Sequence, residues 1–156
     1  MTFVATESGL WAPPWLVWAL GELGQKEIPG SAENLRIAWY HGFTAAGPAS
    51  EDVAWCSSGL CAAFEDGAKI RSTRSKAAVS WATWGDASPL RLGAVLVFGK
   101  ADPDAKGTGH VALCGGWSKD RVLAVGGNQG NAWSAVPRPR AGLVAVRWPK
   151  GYAWSQ

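Results

Sequence analysis

Several things are scarce in this sequence, and each shortage removes a class of protein. Charged residues make up 17% of the 156 residues while 47% are hydrophobic, so a packed globular chain is expected rather than a disordered one. The net charge is +3, with no Lys/Arg block of the kind that forms a nucleic-acid-binding arm. No stretch reaches the roughly 18 to 20 continuous apolar residues of a membrane span. The opening, "MTFVATESGLWAPPWLVWAL", has no basic n-region and is interrupted by Glu7, Pro13 and Pro14, which does not fit a secretory signal. The three cysteines are odd in number and contain no CxxC, which argues against a disulfide framework. His41, Cys56, Cys61, His110 and Cys114 lack the paired spacings of a zinc site, and Glu51 and Asp52 read as a pair of solvated charges. No metal and no cofactor is therefore expected.

What is abundant is tryptophan, with eleven residues. Each buries a large area, so most are expected in the core, although surface indoles also stack on sugars. Residues 1–12 read as a loose arm. Pro13 and Pro14 open a helix carrying Trp15, Val17, Trp18 and Leu23 at partly helical spacing. Ser31, with Asn34 three residues later, is an imperfect capping box for a short helix over "SAENLRIAWYHGF". The segment from Trp55 to about Lys69 is a helix rich in small residues, and "STRSKAAVSWATWG" gives one more, ending at Gly85. From Gly93 the pattern changes to five short apolar runs joined by Gly-rich or polar turns, which favours antiparallel pairing. Helices followed by strands indicate an α+β fold. The expected organisation is a single domain over 1–156, with a helical part over 13–92 and a five-stranded antiparallel sheet over 93–149.

The stretch "DVAWCSSGLCAAF" poses the chemical question. Cysteine attacks as the thiolate, and a helix N-terminus or a nearby imidazolium favours that form. Cys56 falls in the first turn of its predicted helix, where unpaired backbone N–H groups could also hold an oxyanion. Cys61 points roughly 140° away and reads as a small core residue. Of the two histidines, His110 follows "KGTG" and opens a strand, so it can face a groove; His41 sits near a helix end, where capping explains it. If the next strand pairs back through "GGWSKD", Asn128 of "GGNQGN" arrives near His110 and can orient the ring through its amide oxygen. That motif can also be simply a turn.

"WCSSGLCAAF", "GAVLVF", "GHVALCGG" and "VGGNQGN", in that order, resemble the NlpC-type and CHAP cysteine peptidases of papain-like fold, and most closely a subgroup of small phage and prophage proteins. "GELGQKEIPG" near the start and "GLVAVRWP" near the end share in the resemblance, which covers about residues 15 to 149. It implies that Cys56 is the nucleophile, His110 the general base and Asn128 the orienting residue. Trp55, Gln129 and Trp133 are candidates around the oxyanion and groove, core packing being an equal reading for the two tryptophans. Glu27 matches the acidic residue of the start motif, where it could order the loop before Cys56. Ala54 and Cys114 depart from the subgroup's usual residues without touching the triad. The implied activity is cleavage of an amide bond in bacterial peptidoglycan, within the peptide stem or between sugar and stem. The enzyme would be an endolysin-like monomer made in the host cytoplasm and acting on the wall after release, with no nucleic-acid partner and no stable membrane insertion. Two other readings stay open: a non-catalytic wall-binding or virion module on the same fold, and a toxin-type amidase delivered to competitors.

Overall fold

The computed structural model describes residues 12–99 and 109–153, so the expected arm over 1–12 falls almost wholly outside the described residues. Helix α1 (Pro14–Gly21) begins on a proline, whose fixed φ suits the first helical position and whose missing N–H would have had no partner there. Helix α2 (Leu35–His41) is capped by Asn34, whose side chain accepts from Arg36 N–H. This corrects the cap from Ser31, which lies too far upstream to reach the first free amides. Helix α3 (Cys56–Ala68) starts at Cys56, as its composition predicts, and ends at Lys69 in a left-handed conformation. The further helix expected before Gly85 is a 3-10 helix over Ala78–Thr83.

The strands are β1 (Asp86–Ala87), β2 (Val95–Phe98), β3 (His110–Trp117), β4 (Arg121–Gln129), β5 (Ala132–Pro139) and β6 (Leu143–Trp148). They form one antiparallel sheet in the order β1-β6-β2-β3-β4-β5. The sheet has six strands rather than the five expected. The added one, β1, is two residues long and carries no periodicity to detect; it pairs with Trp148 and Arg147 of β6. Arg147 holds that corner by donating to the carbonyls of Trp84 and Gly85.

Helix α3 is the centre of the molecule. Every residue from Cys56 to Phe64 is buried, because α1 and α2 cover one side and β3 and β4 the other. Small residues make this possible. A Cβ on Gly59 would stand 2.4 Å from the Trp133 ring, and one on Gly67 would stand 2.7 Å from Trp18 Cβ, so both glycines are required for close packing. Trp15, Trp55, Trp81, Trp133 and Trp148 are buried, as the core reading of tryptophan expects. Trp15 stacks on Phe64 with ring centroids 5.1 Å apart and donates to Gly93 O, which ties α1 to both α3 and the start of the sheet. No helix among the described residues is long and apolar enough to cross a membrane.

Candidate active site

Cys56 stands at the first position of α3, and no side chain caps that helix start. Its thiol is buried, with 4% exposure for the residue. Burial pushes the thiol up from its ordinary range; backbone N–H groups of Val111, Ser57 and Cys56 itself, and the charge of Arg138, pull it back without cancelling the effect. Desolvation thus works against the depressed thiol expected from the helix start. The Val111 contact also places the sulfur beside the first residues of β3, where His110 stands.

His110 opens β3 opposite Phe98 of β2, with the two ring centroids 6.0 Å apart. Its Nε2 is 3.1 Å from Gln129 Oε1. The Gln129 amide is held from both ends. Its NH2 donates toward the carbonyls of Ala124, Gly126 and Ser134, and its Oε1 also accepts from Arg138 Nε at 3.0 Å. Three carbonyls around the nitrogen fix which end of the amide is which. An oxygen facing His110 Nε2 requires that nitrogen to carry the hydrogen. In the neutral ring, Nδ1 then keeps the lone pair and is the basic atom.

Asn128 does something else. Its Oδ1 accepts from Trp55 N–H at 2.8 Å, joining the end of β4 to the residue that precedes Cys56. The expected role of its amide oxygen at His110 is thus corrected: that position belongs to Gln129. The cause is a break in the β4–β5 ladder between Gly126 and Gln129, within which Asn128 takes a positive φ of 61°. Such an irregularity re-aims the side chains that follow it, so counting residues across the hairpin chose the wrong neighbour. The "GGNQG" run was the available signal, since its glycines and asparagine permit that backbone.

Trp55 and Trp133 are likewise corrected. Both are fully buried, with tilted rings 6.4 Å apart, and neither lines an open groove. Glu27 accepts from Trp55 Nε1 at 2.9 Å, so it orders the residue before Cys56. Glu51 is buried and its carboxylate accepts from the amides of Ile28 and Asn34, correcting its reading as a solvated charge. These bonds clamp the "EIPG" segment to the loop leading into α3. His41 ends α2 but is a core residue, its Nδ1 2.7 Å from Ser58 Oγ on α3. Cys61 and Cys114 are buried and free, consistent with core filling. Among the described residues no group of three or more His, Cys, Asp or Glu gathers as a metal site.

No family model and no curated protein matches the chain. Among solved structures, its fold is similar to that of the wild type endolysin LysIME-EF1, with a TM-score of 0.53 and 14% identity over 89% of this chain. The chain spans 65% of that protein's length. At this level of identity the likeness is one of fold: a mixed α+β architecture shared with an endolysin.

Proposed function

We propose that the chain is an endolysin-like peptidoglycan hydrolase of papain-like, NlpC/CHAP type, cutting an amide bond with Cys56, His110 and Gln129. The observation that carries this reading is the Gln129 amide, locked so that it leaves His110 Nδ1 as a base on the strand beside the Cys56 sulfur. The shared fold with an endolysin supports the substrate class.

The chemistry follows from the parts. His110 Nδ1 takes the Cys56 proton as sulfur attacks the scissile carbonyl carbon. The carbonyl oxygen becomes an oxyanion, received by backbone N–H groups at the uncapped start of α3, that of Cys56 among them. The Trp55 N–H does not contribute, because Asn128 occupies it. Collapse of the intermediate breaks the C–N bond, and His110 returns the proton to the leaving amine. Water, deprotonated by His110, then cleaves the thioester to a carboxylate and restores the thiol. Burial favours the neutral form of the Cys56 thiol, so its ionisation accompanies the reaction. It also requires the surrounding loops to part for a polymer to reach the sulfur. The enzyme acts as a monomer on the wall after release from the host cytoplasm.

The competing reading, a non-catalytic wall-binding module on the same fold, draws on the 4% exposure of Cys56. Purified sacculi separate the two: the hydrolase releases soluble fragments and loses this on Cys56→Ala, whereas the module binds sacculi and releases nothing.

A further inference from the structure

Arg138 is an unexpected residue to find beside this pair. It lies on β5, an edge strand of the sheet, yet it is only 5% exposed. Removing a guanidinium from water is costly unless its hydrogen bonds and charge are used. One use is visible: Nε donates to Gln129 Oε1 at 3.0 Å, the same oxygen that faces His110 Nε2. A second is packing, since its Cζ lies 5.6 Å from the Phe98 ring centroid, and Phe98 in turn flanks His110. The guanidinium thus approaches the histidine from the Gln129 side.

We propose that Arg138 is a positioning residue of the hydrolytic centre, which locks the Gln129 amide that holds His110 and whose charge sets the pH window in which the Cys56–His110 pair works. The proposal rests on the hydrolase reading given above. A glutamine amide can rotate about its last torsion; a charge-assisted donor on its oxygen, together with the three carbonyls around its nitrogen, removes that freedom. The electrostatic part has a definite sign. A fixed cation favours every step in which the pair loses a proton, so it moves both limbs of the activity profile toward lower pH. It already acts on Cys56 in that direction. Two other titratable groups bond neighbours of Cys56: Glu27 accepts from the Trp55 indole, and His41 of α2 contacts Ser58 of α3. Neither touches Gln129 in the way Arg138 does.

The full chain carrying Arg138→Gln or Arg138→Lys is tested for fragment release from sacculi over about pH 5 to 10, with Cys56 alkylation by iodoacetamide followed by mass spectrometry over the same range. Arg138→Gln removes the charge, so both limbs and the alkylation profile move up by on the order of one pH unit. Arg138→Lys keeps the charge but not the fixed Nε geometry, so the limbs stay in place while kcat falls roughly 10-fold at unchanged KM. Unmoved limbs in a folded Arg138→Gln protein overturn the proposal. If that variant does not fold, Arg138→Lys decides, and a kcat equal to that of the unsubstituted chain overturns it. Cys56→Ala is the control for the underlying reading. Fragment release that survives it removes Cys56 as the nucleophile and with it the reading on which the proposal rests, while the alkylation profiles still report whether the Arg138 charge acts on the Cys56 thiol.

Discussion

Gly127 and the Trp55 ring occupy one space: a Cβ on the glycine would lie 2.2 Å from the indole. The indole cannot retreat easily, since its Nε1 is bonded to Glu27 and its backbone N–H to Asn128. Gly127→Ala is therefore predicted to destabilise the protein by about 1–3 kcal/mol, the usual cost of overpacking. Gly21→Ala, where a Cβ meets nothing within 4 Å at the end of α1, is predicted to be neutral or mildly stabilising. Urea denaturation of the two variants checks the contrast, and equal effects would refute it.

Gln129 and Asn128 are adjacent but predicted to fail differently. Gln129→Ala frees the His110 ring and its tautomer, so kcat should fall by on the order of 10²- to 10⁴-fold with little change in KM. Asn128→Gly keeps the positive φ accessible and removes only the acceptor for Trp55 N–H. It should cost about 1–3 kcal/mol of stability and much less activity. Kinetics and melting of both variants together test this; a larger kcat loss from Asn128→Gly would return the orienting role to that residue.

The three thiols should be resolved by alkylation. Burial pushes Cys114 up to about 11 and raises Cys61 as well, and neither side chain reaches solvent. Near neutral pH the native protein should therefore show slow labelling of Cys56 and none of Cys61 or Cys114. Labelling of Cys56 should accelerate as pH rises, because its thiol is raised too. Peptide mapping after iodoacetamide treatment, with and without urea, reads all three. Rapid labelling of native Cys56 at about pH 6 would show a resting thiolate instead.

His41 gives a stability prediction with a definite sign. Burial, then the charge of Lys76, lower its pKa, while the carbonyls of Val53 and Ser50 act in the opposite direction. The neutral ring is therefore favoured in the folded state. Its contribution is fully present above the unfolded value of about 6.5 and is lost as pH falls through that value toward the lower folded one. Unfolding free energies at about pH 7.5 and pH 5.5 should differ more for the unsubstituted chain than for His41→Gln. An equal difference in both would contradict the assignment.

How much of this was readable beforehand depended on the kind of signal. Helix α3 was legible to within a residue, because an unbroken run of small apolar residues after a Pro- and Gly-containing loop leaves few alternatives. The strands from β2 to β6 were legible as apolar runs between turns, whereas β1 exists only because β6 offers it a partner. Cys56 and His110 could be nominated from their places at a helix start and a strand start. Their environment could not, since the burial that raises the Cys56 thiol comes from segments distant along the chain. The exchange of Asn128 for Gln129 turned on one irregular stretch of backbone, which counting residues across a hairpin cannot foresee. Arg138 was invisible for a related reason: "PRPR" reads as an exposed, basic strand end, whereas the folded chain sets it against Phe98 and Gln129 as a buried neighbour of the site.

The central claim is that sulfur 56 cleaves an amide in the bacterial wall. Mass spectrometry of the soluble products released from purified sacculi tests it most directly. The account predicts fragments ending in new amines and carboxylates from the unsubstituted chain, and none above background from Cys56→Ala. Equal release by Cys56→Ala, or products bearing new sugar reducing ends, would contradict it.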